Sequence, residues 1–472
     1  MEKTSILDRV NSWARKSVTL KLIAVGFLIL ILMIPASMMR SLIRERQQTR
    51  DGAIKEVSSK WGGFQTIGGP IISVPYTTLE NNNSGKAEYV TKYAHFLPDN
   101  LKISGDLKPE KRYRGIYVVM LYNGKINISG SFKTLNFAPL NIPEKDLNIE
   151  QAFISVGITD MKGIKDNVNI KLNDSTLQME PGIPTSDIFV SGLSVPIKLD
   201  VNGNYTFSFD LNVNGSSFLH FLPFGKETNV ELKSAWGDPK FEGAFLPDER
   251  TITNNSFTAK WKILHLNRNY PQQGVGEFIE KNNEDKSNNY YVDNDDNDQV
   301  VDGGKASSFG VRLILPVDEY KKTMRSVNYN IMFIFITFLA FFFMEIINKR
   351  RIHPLQYLLI GFAICLFYIL LLSISEYIKF DMSYLWSCVA ILSLITFYTK
   401  SIFKSNKLTI LMTSILAILY GFFYSILQLQ DYALLMGSLG LLVILAVVMY
   451  LTRNINWYNI SNTNSNQLEE HN

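Results

Sequence analysis

The sequence predicts a multi-pass α-helical membrane protein of six helices carrying a large, mainly antiparallel β extracytoplasmic domain. Three observations predict it. One apolar run lies near the N-terminus and five more follow one another between Tyr329 and Leu451, each near the roughly 20 residues that cross hydrocarbon. The long stretch between them alternates polar with apolar residues, as strands do. Mean hydropathy of +0.04 over 472 residues is too low for a chain lying wholly in lipid, so an aqueous domain is required.

Residues 1–19 read as a cytoplasmic N-terminus, polar and bearing Lys3, Arg9, Arg15 and Lys16. Residues 20–39 follow as an uncleaved anchor, because the apolar core Leu22–Met39 outlasts a secretory signal and no small-x-small cleavage site closes it. Residues 40–67 continue as a juxtamembrane helix with Ile43, Ile54, Val57 and Trp61 along one stripe.

Residues 68–328 form the β-rich domain. Tyr205, Phe207, Phe209, Leu211 and Val213 alternate with polar partners, and similar alternation marks Val168–Leu172, Leu193–Val201 and Phe257–Ile263. Asn123-Gly124 and Asn202-Gly203 each predict a tight hairpin, the first between Ile116–Tyr122 and Lys125–Phe132, the second between the Leu193 and Tyr205 strands. One apolar face per strand calls for two packed sheets or a partly closed barrel. Phe-Leu-Pro at Phe96, Phe221 and Phe245 suggests three similar strand ends. Residues 281–305, acidic and Asn-rich, read as a flexible loop; they lack the Gly and terminal Glu spacing of an EF-hand.

Residues 329–451 give five spans, Tyr329–Ile347, Leu355–Ile374, Met382–Thr399, Leu408–Leu429 and Tyr432–Leu451, followed by a cytoplasmic tail at 452–472. Lys349, Arg350 and Arg351 in one short loop, and Lys400, Lys404 and Lys407 in another, are retained inside. Both termini are therefore expected in the cytoplasm and the β domain outside. Arg40, Arg44, Arg46, Lys321, Lys322 and Arg325 oppose this but border a long translocated domain, where the charge rule is weak. Tyr329, Tyr377, Tyr384 and Trp386 should form an outer aromatic belt, and Tyr357, Tyr398, Trp457 and Tyr458 an inner one. Ala417-x-x-x-Gly421 and Ala433-x-x-x-Gly437 should let the last two spans approach.

Chemistry is sparse. A net charge of +4, spread along the chain, gives no nucleic-acid surface. Cys365 and Cys388 both fall in apolar runs and read as packing residues, so the aqueous part has no thiol site. No nucleophile elbow, zinc-protease pair, phosphate loop or dinucleotide fingerprint occurs. His95, His220 and His265 are far apart in sequence, and His353 beside Pro354 shapes a turn. Glu345 pairs with Lys349 at an interface, leaving no ionisable group at mid-bilayer and only Ser373, Ser375, Ser387 and Ser393 as an uncharged path. No catalytic, cofactor-binding or metal residue is assigned. The expected partners are the lipid bilayer and an envelope protein or peptidoglycan.

His353-Pro354-Leu355-Gln356-Tyr357-Leu358-Leu359-Ile360-Gly361, running on to Ser375-Glu376, resembles the CreD family of bacterial inner-membrane proteins. So do Gly69–Pro75, Ser155–Ile164, Glu180-Pro181-Gly182, Ser234-Ala235-Trp236 with Pro239, Phe241, Gly243 and Phe245–Pro247, and Leu451–Tyr458. The resemblance implies an inner-membrane protein associated with cell-envelope integrity, produced under a two-component stress response, with no catalytic residue to carry over. It leads to a non-enzymatic envelope protein. The alternatives are a transporter or lipid-handling protein, which needs a polar path, and a sensor acting through a partner, which needs an output module.

Overall fold

The computed structural model describes residues 18–81, 86–279, 307–314, 319–348, 352–429 and 432–453. The chain divides into two units, one of Met1–Gln48 with Asp318–Asn472, the other Thr49–Val317. The acidic tract at 281–305, the Lys349–Arg351 loop and Trp457-Tyr458 lie outside the described residues.

The membrane unit holds seven helices, counting only described residues: α1 (Val18–Trp61, its first part), α2 (Glu319–Asn328), α3 (Asn330–Ile347), α4 (Pro354–Ser375), α5 (Phe380–Phe403), α6 (Asn406–Gln428) and α7 (Ala433–Thr452). Among the described residues five are long and apolar enough to cross a membrane, namely α1, α3, α4, α5 and α6. The expected sixth span is α7, 20 residues from Ala433 to Thr452, of which Leu435–Tyr450 is the apolar stretch among the described residues. The anchor and the juxtamembrane helix expected to continue it form one element, α1, which runs unbroken to Trp61 and stops short of residue 67. Residues 319–328, expected in the β domain, form α2 and belong with the membrane helices.

Packing corrects two further expectations. Tyr357 and Tyr384 are buried rather than belt residues: the Tyr357 hydroxyl donates to Glu345 at 3.1 Å, and that of Tyr384 to the Tyr420 carbonyl at 2.8 Å. Nothing approaches Gly421 or Gly437, so the small-residue faces join no helices; α7 meets α6 where Gly440 faces Phe422. Glu345 pairs with Lys21 of α1 and is 4% exposed, while Lys349, its expected partner, lies outside the described residues.

The β unit is mixed, in two sheets. One runs β13 (Pro239–Gly243), β17 (Phe309–Leu313), β11 (Phe218–Phe221), β1 (Gln65–Asn81), β5 (Phe153–Ile158), β9 (Gly192–Pro196), β8 (Glu180–Pro181), with β2 (Ala87–Phe96) on β1 and β16 (Gln273–Val275) on β2. The other runs β14 (Glu249–Ile252), β15 (Phe257–Leu264), β12 (Glu227–Ser234), β3 (Asn100–Arg114), β4 (Tyr117–Phe132), β10 (Tyr205–Ser216), β6 (Asn169–Leu172), β7 (Ser175–Gln178). Two pairs are parallel, β1 with β11 and β3 with β12. Parallel neighbours need long crossovers, which alternation in the sequence does not reveal.

Neither Asn-Gly makes a hairpin. Asn123 and Gly124 sit inside β4, paired with Lys108 and Leu107 on one side and with Asn214 and Val213 on the other. The turn falls earlier, at Gly115-Ile116, where Gly115 has φ +62°. Asn202-Gly203 does turn, with Gly203 N–H on the Asp200 carbonyl at 3.0 Å, but it carries the chain from one sheet to the other. Phe96 and Phe221 end strands as expected, whereas Phe245 lies beyond the end of β13.

Inner faces of both sheets form one core, in which Trp261 packs against Phe241 and Phe309 at 5.7 Å between ring centres. Strand β1 is buried continuously from Ile67 to Tyr76 because strands flank it and side chains cover both faces. Truncating the fully buried Trp261 to Ala should destabilise this unit by about 3–5 kcal/mol. Denaturant melts followed by proteolysis of the β unit in the detergent-solubilised chain would measure it.

Candidate functional site

Four side-chain constellations emerge from the fold. The first is a clasp at the C-terminal end of α1. Gly62 leaves the helix at φ +146°, and any Cβ there would stand 2.6 Å from the Asn214 carbonyl oxygen, so glycine is required. The chain then enters β1 at Gln65, whose fully buried amide donates to the Asp160 carbonyl at 2.9 Å and the Asn214 carbonyl at 3.1 Å. Asp160 returns the contact, its carboxylate accepting from Gly63 N–H at 2.8 Å. Ser216 N–H closes the ring on the Gly63 carbonyl at 3.0 Å. Trp61 is roofed by Arg112 at 3.9 Å and Lys165 at 5.9 Å. Three remote segments thus satisfy one another's buried polar groups.

The second is a Ser–His–Asp relay that no motif announced. Register places Ser73 of β1 beside His95 of β2, and Asp187 arrives from an irregular segment. Ser73 Oγ lies 2.8 Å from His95 Nδ1, and His95 Nε2 lies 3.0 Å from Asp187. A carboxylate only accepts, so Nε2–H donates to Asp187, while Nδ1 shares a hydrogen bond with the Ser73 hydroxyl. Serine hydrolases use the opposite ring nitrogens. Ser73 and His95 are each 1% exposed, which bars a substrate from the hydroxyl. This relay satisfies a buried imidazole and holds the Asp187 segment against β2.

The third surrounds Glu242 of β13. Arg312 Nε reaches both carboxylate oxygens, at 2.9 and 3.0 Å, Lys240 stands at 3.7 Å, and His220 Nε2 at 3.4 Å lies within ion-pair reach but outside hydrogen-bond geometry. Burial by itself would push the Glu242 carboxyl up, yet His220 and Arg312 outweigh it and hold the carboxyl below its ordinary range. The three β-domain histidines do not converge: His95 and His220 have separate partners, and His265 opens a turn beyond β15.

The fourth lies in the membrane unit, where Lys21 and the Tyr357 hydroxyl meet the Glu345 carboxylate, joining α1, α3 and α4. Nearby in sequence, His353 caps α4. Its Nδ1 accepts Leu355 N–H at 3.3 Å, and Gln356 accepts His353 N–H at 2.9 Å, with Pro354 opening the helix. His-Pro-Leu-Gln is a helix start, as expected. The four serines form no single path: Ser373 and Ser393 are exposed, Ser375 bonds the Leu372 carbonyl, and Ser387 is buried.

The residues that build the clasp and the cap lie within a span that matches a known family. The pattern described as Inner membrane protein CreD matches residues 17–458. The chain belongs to the CreD family. It is 30% identical to the inner membrane protein CreD of Escherichia coli over 444 residues, covering 92% of each chain. Membership agrees with a chain that carries several membrane-spanning helices. In CreD terms, Ser155–Ile164 contributes Asp160 to the clasp, and Ser234-Ala235-Trp236 places the Trp236 indole N–H on the Asp238 and Ile314 carbonyls at 3.1 Å.

Ser73→Ala should remove the hydroxyl that bonds the buried His95 Nδ1 and cost about 1–3 kcal/mol in denaturant melts. For Glu242 the folded pKa is depressed, so its contribution is present above the unfolded value of about 4.3 and is lost as pH falls through the lower folded value. Melting of the wild-type β unit should therefore weaken more steeply below about pH 4 than that of Glu242→Gln.

Proposed function

We propose that the chain is a non-enzymatic inner-membrane protein supporting cell-envelope integrity or the envelope stress response, with both termini cytoplasmic and the β unit periplasmic. The clasp carries this reading. The end of α1 and the start of β1 are tied into a hydrogen-bonded seat within the β unit, an arrangement suited to a structural part rather than to turnover. The closed Ser73–His95–Asp187 relay supports the absence of hydrolysis. The partner of the β unit is an envelope protein or peptidoglycan, met through exposed aromatics such as Tyr89 and Tyr113.

Loss of the gene should sensitise cells to detergent, dye and cell-wall antibiotics, and wild-type resistance in all three assays would sink the proposal. Complementation by Asp160→Ala should fail although the protein still inserts. A reporter placed near Asn204 should be active only in the periplasm, and cytosolic activity would reverse the topology.

One observation favours the second reading, a lipid-handling protein. A groove of about 740 Å³ runs between α1 and α4, lined by Pro35, Met38, Leu42, Phe362, Leu366 and Ile369. That volume lies within the range of ligand clefts. Lipid flux in reconstituted vesicles, abolished by Leu366→Trp, would establish this reading over the first.

A further inference from the structure

Two arginines on α1 have no use in any constellation above. Their depth follows from how α1 packs on α4. Leu32 Cδ1 stands 2.2 Å from where a Cβ on Gly361 would lie, and fourteen residues later Arg46 stands 3.8 Å from Glu376, the residue that ends α4. The two helices therefore run side by side in the same direction. Arg46 with Glu376 marks the rim of the bundle, and Arg40, six residues earlier, is about 9 Å further in. Arg40 is level with the apolar body of α4.

Arg40 is half-buried, and its Nε is enclosed without any hydrogen-bond partner. Arg44 follows at i+4 on the same helix face, exposed. Like charges at that spacing repel, and a guanidinium sunk below the rim is costly unless something answers it. Neither side chain makes an ion pair with a described carboxylate. Glu45 points about 140° round the helix from Arg40 and lines the groove instead. Two guanidiniums on one helix face call for an anion, and a basic site on a membrane helix suits the phosphate of a lipid headgroup.

We propose that Arg40 and Arg44 form a headgroup site for an anionic phospholipid of the leaflet on the Arg46–Glu376 side, the phosphate bridging the two guanidiniums. The occupant stays with the helix as a structural lipid. Its phosphate supplies the acceptor for the enclosed Nε, and its acyl chains cover exposed apolar surface of α1 below on the same face, such as Met33. This goes beyond the proposed function and stands whether or not that reading holds.

The test uses the full chain in nanodiscs of phosphatidylcholine doped with phosphatidylglycerol, reading thermal stability and lipid retention by native mass spectrometry. Phosphatidylglycerol should raise the melting temperature and remain bound, and Arg40→Gln/Arg44→Gln should weaken its binding about thirtyfold. Arg40→Leu should melt no lower than wild type in pure phosphatidylcholine, where the orphan charge is only a burden, and should lose the response to phosphatidylglycerol. Equal responses of wild type and the double variant, or of the two lipids, would overturn the assignment. So would inorganic phosphate stabilising the protein as well as phosphatidylglycerol does, because the site would then take a free anion.

Discussion

The β unit depends on how buried backbone groups are satisfied where α1 becomes β1. Helix ends expose carbonyls and strand starts expose both donors and acceptors, and at this junction there is little water to take them up. Gln65 and Asp160 solve that problem reciprocally, with the Asn214 carbonyl as third member. Glycine at 62 and 163 lets the strands close in, for a Cβ at either position would collide with the Asn214 oxygen. Strand β1 starts from this point and becomes the strand around which its sheet is organised, pairing with β11, β5 and then β2 along its length.

The membrane unit solves a related difficulty. Its first helix is separated from the others by the whole β unit, so local propensity cannot dock it. Docking uses a buried apolar stripe, Leu28, Leu32, Met39 and Ile43, with an ion pair near each end, Lys21–Glu345 and Arg46–Glu376. Charge pairs in a low-dielectric setting add little net stability, but a wrong register leaves a charge unpaired, so they select one arrangement strongly. Tyr357, donating to Glu345, draws α4 into the same contact.

Much of this was legible in the residues. Alternation located β10, β15 and β6, because a strand with one wet face must repeat every two residues. The His353 cap followed from its position before Pro354. Asn123-Gly124 misled because the dipeptide's tolerance of a tight turn does not compel one. Flanked by β3 and β10, it gains ladder bonds on both sides, and Asn123 donates to Asn212 and Asn214 across the sheet. Tyr357 and Tyr384 misled similarly: sequence depth suggested an interface, but helix rotation turned both inward to acceptors that cost more to leave unpaired than a belt contact is worth.

By itself the sequence determined the division into lipid-crossing helices and an alternating β region, since both are set by period and length along one segment. Only the tertiary structure decided which strands are parallel, that Ser73, His95 and Asp187 form a closed relay, that Glu345 belongs to Lys21, and that Arg40 lies below the rim without a carboxylate. Each of those depends on the register between segments far apart in the chain. Register is chosen by the summed burial and hydrogen bonding of the whole core, a quantity no local pattern contains.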